Sequence, residues 1–185
     1  MNFRLTDILE TNDFQYVRII KNGCTSITNL MKEKYGNENI IRTRDIYTKK
    51  PRWAVVRDPY ERFISGLNYD LKKHDVKIED INIKKIFTCN EPHLRNLILG
   101  NVSHTVSQIP YLMNNQVTHY IDINDLDIFL KMHFNKTLHA NKNKNKIHLN
   151  IDKEEVMKYL HLDYYIYNNI KNSPFLWEWQ HGRIF

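Results

Sequence analysis

Lys21-Asn22-Gly23-Cys24-Thr25-Ser26 brings a cation, a glycine and two hydroxyl side chains into one short run. That combination suits an anion. Glycine lets backbone N–H groups approach closely, hydroxyls donate hydrogen bonds, and lysine supplies a mobile charge. A second run, Arg57-Asp58-Pro59-Tyr60-Glu61-Arg62-Phe63-Ile64-Ser65, opens on a guanidinium and closes on a serine. The paired N–H donors of arginine match two oxygens of a phosphate, and serine adds a neutral donor. Arg62 has two roles open to it, bracing the loop or reaching the ligand.

Each run needs an element on either side to aim it. Phe14–Ile20 is rich in β-branched and aromatic residues and predicts a strand. After the turn at Lys21 to Ser26, Ile27, Leu30, Met31 and Tyr35 recur at helical spacing, and Gly36 stands where a helix ends. Trp53-Ala54-Val55-Val56 is an unbroken apolar run of the kind a buried parallel strand carries. Arg57 closes it, Asp58 can cap the next helix, and Pro59 fits the first helical position, where its missing N–H costs nothing. Tyr60, Phe63, Ile64, Leu67 and Leu71 then form one apolar face, with Ser65 off it.

Further along, the pattern predicts a helix from near Asn90 to Gly100 and a strand over Val117–Ile123. A helix follows through Leu126, Phe129 and Leu130, then a solvated Asn/Lys loop at Asn141–Lys146. Asp152 with Glu155 starts another helix, and Tyr164–Ile170 continues as helix. Strands alternating with helices imply a single α/β domain over residues 1–185 with a central, mainly parallel sheet. Ligands of such sheets sit beyond the carboxyl ends of the strands, where both polar runs fall.

The first run, K-x-G-x-T-S, is not a Walker A loop, because no lysine follows a second glycine. It resembles the 5′-phosphosulfate loop of the sulfotransferases that use 3′-phosphoadenosine 5′-phosphosulfate (PAPS). The second run is similar to the 3′-phosphate element of the same superfamily, R-D-P-x-x-R-x-x-S, and the likeness is to its carbohydrate-type branch. It covers residues 14–72, with residues 90–185 left for the acceptor side. The resemblance implies a P-loop-like three-layer fold, helices flanking the sheet. It implies that Lys21, Asn22, Gly23, Cys24, Thr25 and Ser26 cradle the 5′-phosphosulfate, and that Arg57 and Ser65, with Arg62 nearby, hold the 3′-phosphate. The co-substrate would be PAPS, the product adenosine 3′,5′-bisphosphate, and no metal is expected.

Sulfuryl transfer of this kind is an in-line displacement governed by positioning and charge stabilisation, as in phosphoryl transfer. Lys21 is the catalytic cation expected at the bridging oxygen. The acceptor hydroxyl or amine needs a base. His104, in His104-Thr105-Val106-Ser107-Gln108, is the choice among nine histidines, because carbohydrate sulfotransferases carry a similar H-x-x-P-Q run. Here Ser107 stands for the proline, and a polar loop histidine is the plain alternative. Glu91 and His93 come next, while His74 sits in a charged surface stretch. Trp177 and Trp179 could line an acceptor, but core packing is their ordinary use.

Bulk composition agrees with a folded domain: 42% of the 185 residues are hydrophobic, with only two cysteines, Cys24 and Cys89, read as free thiols. The formal charge of +6 suits an anionic partner. No apolar run is long enough for a membrane span and the start lacks signal-peptide order, so the expected setting is cytoplasmic. Two other functions compete. A nucleotide or nucleoside kinase with a degenerate phosphate loop is disfavoured by the missing Walker lysine and by the lack of a clear Mg²⁺-binding acidic strand end. A non-catalytic basic module for nucleic acid or an anionic glycan is disfavoured because the cations are dispersed, and no nucleic-acid partner is expected.

Overall fold

The computed structural model describes residues 8–43, 48–74, 77, 84, 105, 107–137 and 149–172. The chain forms strands β1 (Ile8–Glu10) and β2 (Gln15–Val17), helix α1 (Cys24–Tyr35), strands β3 (Ile41–Thr43) and β4 (Arg52–Val56), and helix α2 (Pro59–His74). Helix α3 (Ile109–Asn114), strand β5 (His119–Asp122) and helices α4 (Leu126–Phe134), α5 (Lys153–Tyr159) and α6 (His161–Lys171) follow. The helix expected from Asn90, the loop at Asn141–Lys146, His104, His93, Glu91, Cys89, Trp177 and Trp179 lie outside the described residues.

The five strands form one sheet in the order β3-β1-β2-β4-β5. β2, β4 and β5 are parallel neighbours, as the apolar run Trp53–Val56 predicts for β4. β1, however, pairs antiparallel with both β2 and β3, so the sheet is mixed rather than mainly parallel. The cause is a tight reversal before β2. Thr11 Oγ1 accepts from Asp13 N and Phe14 N, both at 3.2 Å, and its backbone N–H donates to Phe14 O at 2.9 Å. A turn that short can only return the chain beside itself.

The pleat divides the core. Leu9, Tyr16, Trp53, Val55 and Ile121 pack on one face against Ile27 and Met31 of α1 and Phe129 and Leu130 of α4. Ile8, Val17, Ala54 and Val56 pack on the other against Tyr111 and Leu112 of α3 and Tyr167 of α6. α2 joins this second side through Phe63, Leu67 and Leu71, which pack with Val156 of α5 and Leu160 and Tyr164 of the α5–α6 corner. The chain is therefore a mixed α/β structure with helices on both sides of the sheet.

This strand order has a switch point between β2 and β4. α1 leaves β2 toward β3 at one edge, while the segment after β4 leads to β5 at the other. The two connections diverge, and their helices lie on opposite faces. A ligand crevice opens at the carboxyl ends of adjacent strands where connections part in this way.

At the opposite end of the sheet, His133 is enclosed by Phe14, Phe129 and Trp53, with ring centroids at 4.7, 4.5 and 5.2 Å. Its Nε2 is buried with no hydrogen-bond partner among the described residues. Burial first, and then the Lys34 cation, push its pKa down to about 4. Because the folded value is depressed, the unfolded chain binds the extra proton below its own value near 6.5. Stability should thus be fully present above pH 6.5 and fall as pH drops toward 4, by about 2 kcal/mol after discounting for partial exposure. Urea midpoints measured across that window check this, and His133→Phe should flatten the profile.

Candidate active site

The first loop is shaped by two residues in left-handed conformation. Gly23, at φ 77°, caps α1, and Ile27 N donates to its carbonyl at 3.2 Å to open the helix. A glycine cap has no side chain to offer, and the first turn of α1 has no carboxylate. The first N–H groups are therefore not taken up by a cap side chain, and no carboxylate offsets the positive end of the helix dipole. Cys24 and Ser26 are half-buried and Thr25 is exposed at this turn. A β-carbon at Gly23 would sit 3.3 Å from Leu126 Cδ2, in backbone geometry that L-residues avoid. Gly23→Ala is expected to cost about 1–2 kcal/mol in urea unfolding, from the left-handed strain alone.

Lys21 is also left-handed, at φ 68°, which a lysine adopts only when its surroundings impose it. Its ammonium lies over the Tyr69 ring, 4.2 Å from the centroid. Tyr69 is one helical turn after Ser65 on α2, so the Lys21 contact turns the Ser65–Tyr69 stripe toward the first loop. Ser65 itself is half-buried.

The second loop grows from the end of β4. Asp58 caps α2 as expected, its Oδ1 accepting from Glu61 N at 3.0 Å. Arg57 turns back: its Nη1 donates to the carbonyl of Lys21 at 3.2 Å, and its Nη2 lies 3.7 Å from Glu61 Oε2. The Arg57 side chain is 16% exposed. Lys21 and Arg57, singled out from separate motifs, thus stand side by side at the ends of neighbouring strands.

Their electrostatics favour an anion. Burial pulls the Lys21 ammonium below its ordinary range, with the Arg57 cation adding to the effect against the attraction of Asp70. Burial likewise lowers Arg57, more than Glu61, Asp58 and Asp122 restore. Both cations are poorly solvated, so an incoming polyanion recovers solvation they have lost.

The other expected residues divide. Arg62 is 1% exposed, and burial lowers its pKa to about 10 despite the nearby Asp163 carboxylate. A side chain so deep suits the bracing role. Asn22 is also fully buried, its Nδ2 donating to Val55 O at 2.8 Å and to Gln108 Oε1 at 3.1 Å. Its amide tethers the loop from beneath, and its backbone N–H closes the turn onto Ile19 O at 3.2 Å.

Gln108, noted in the sequence only as the end of the His104 run, reaches the site, together with residues that were not foreseen. Gln108 donates from Nε2 to Arg57 O at 3.0 Å, and its backbone N–H donates to Asp163 Oδ1 at 2.8 Å. Tyr164 accepts from Tyr60 N at 3.2 Å and lies 3.4 Å from Asp58 Oδ1. Burial, and then the Asp58 carboxylate, raise the Tyr164 phenol above its usual range. Tyr69 had a signal, its four-residue spacing from Ser65; Asp163 and Tyr164 had none. Asp122 ends β5 as an acidic strand end, but its Oδ2 accepts from Tyr167 at 2.5 Å and its Oδ1 from Asn124 N and Nδ2. Among the described residues there is no group of three or more His, Cys, Asp or Glu that could hold a metal ion, and no helix long and apolar enough to cross a membrane.

No family model matches the chain, and no curated protein or solved structure matches it either.

Proposed function

We propose that the chain is a PAPS-dependent sulfotransferase with a P-loop-like donor site, moving a sulfuryl group to a hydroxyl or amine. The observation that carries this reading is the bond from Arg57 Nη1 to Lys21 O at 3.2 Å. It joins two anion-binding loops at adjacent strand ends, which is what a nucleotide charged at both its 5′ and 3′ ends requires.

In this reading the open N-terminus of α1, with Thr25 and Ser26, receives the 5′-phosphosulfate, and Arg57 and Ser65 receive the 3′-phosphate. The acceptor oxygen or nitrogen forms a bond to sulfur as the bond from sulfur to the bridging phosphate oxygen breaks. Adenosine 3′,5′-bisphosphate leaves with that electron pair, and Lys21 neutralises the developing charge. His104 is the base assigned to take the acceptor proton. The acceptor is a sugar, small molecule or peptide.

The first test needs no acceptor. Adenosine 3′,5′-bisphosphate should raise the melting temperature with mass-action dependence on concentration. No response at millimolar ligand would sink the donor site. Stabilisation by ATP only with Mg²⁺ would transfer the assignment to a kinase. Salt-steep oligonucleotide binding, indifferent to the bisphosphate, would point to a basic binding module. Incubation with sulfur-labelled PAPS and an acceptor panel, read by mass spectrometry, then tests the transfer.

A further inference from the structure

Gln108 is 1% exposed and bonds to both strand-end loops at once. Its Oε1 accepts from Asn22 Nδ2 at 3.1 Å in the first loop, and its Nε2 donates to Arg57 O at 3.0 Å in the second. Arg57 in turn donates to Lys21 O, and Lys21 is bonded through the chain to Asn22. The result is a closed ring: Lys21, Asn22, Gln108, Arg57 and back to Lys21. Gln108 is itself pinned from outside the ring, its N–H donating to Asp163 Oδ1 on α6 at 2.8 Å. Asp163 is 4% exposed and stands near the buried Arg62 of α2. A ring of this kind resists any change in the distance between the loops, because widening it breaks a buried hydrogen bond and strands its partners.

We propose that Gln108 is a positioning residue that sets the separation of the two loops, so that one ligand anionic at both ends can engage both together. The inference rests on the donor site proposed above. Its physical content is bivalency. When the spacing is fixed at the ligand's own span, the second phosphate binds at a high effective concentration and adds its full contribution. When the spacing is loose, each loop still recognises its own phosphate, but the joint gain shrinks. Gln108 lies beneath the loops and has no need to touch the ligand.

The test compares adenosine 3′,5′-bisphosphate with 5′-AMP and 3′-AMP by calorimetry on the full chain. The variants are Gln108→Met, which keeps length and removes both bonds, and Gln108→Asn, which keeps the amide but is too short to span. The expected result is bisphosphate affinity weakened about tenfold or more, by lost bivalency. Each monophosphate should stay within about twofold, the scatter of independent sites. Gln108→Asn guards against a folding failure of Gln108→Met, and its own melting temperature is measured alongside. Equal weakening of all three ligands would mean general damage to the site and overturn the positioning role, as would an unchanged bisphosphate affinity. If the unaltered protein binds none of the three, the donor site fails first and the positioning role falls with it.

Discussion

Replacing Lys21 by glycine or by alanine should slow sulfuryl transfer about 10²- to 10³-fold, the usual effect of removing a group that stabilises transition-state charge. Stability should separate the same two variants. The backbone at Lys21 is left-handed, at φ 68°, which costs an L-residue with a β-carbon about 1–2 kcal/mol and costs glycine almost nothing. Both variants lose the ammonium–ring contact with Tyr69, about 0.5–1 kcal/mol at a partly exposed ring, so that loss cancels between them. Lys21→Gly should therefore be more stable than Lys21→Ala by about 1 kcal/mol, the reverse of the ordinary ranking of these residues. Denaturant midpoints with single-turnover transfer assays read both quantities. Unimpaired transfer in either variant would remove Lys21 from the reaction.

Arg57→Ala should weaken adenosine 3′,5′-bisphosphate by about 10- to 150-fold, equivalent to charge-assisted bonds of about 1.5–3 kcal/mol. Two effects combine. The forked donors to the 3′-phosphate are lost, and so is the bond that holds the carbonyl of Lys21. Arg57→Lys separates them. It restores the charge but not the planar fork, and should recover only part of the affinity. An unchanged melting response to the bisphosphate in Arg57→Ala would refute the role. Because the Arg57 side chain is 16% exposed and already desolvated, its contribution should resist added salt better than that of surface cations.

Local signals were legible where short-range chemistry decides structure. Asp58-Pro59 specified the start of α2, Gly36 the end of α1, and Asp152 the start of α5, because caps are settled by a residue and its next few neighbours. The Asp152 side chain accepts from Glu154 N, a simpler cap than the reciprocal box expected with Glu155. β4 was readable as a buried parallel strand from its apolar run alone. β1 was not. Three residues, Ile8-Leu9-Glu10, carry too little alternation to mark a strand, and only pairing with β2 and β3 makes them one. The antiparallel half of the sheet follows from that pairing.

By itself, the sequence determined the two polar runs, the strand and helix that flank each of them, and the cations Lys21 and Arg57 they carry. These depend on residue type and on neighbours within a turn or two. Tertiary structure alone decided that the two runs meet, that Arg62 and Asn22 turn inward, and that Gln108, distant in the chain and pinned by Asp163, closes the ring beneath them. Those outcomes depend on strand order and on buried hydrogen bonds between residues as many as 86 positions apart. No local preference records such a separation, because its bonds form only once the sheet has brought the strand ends together.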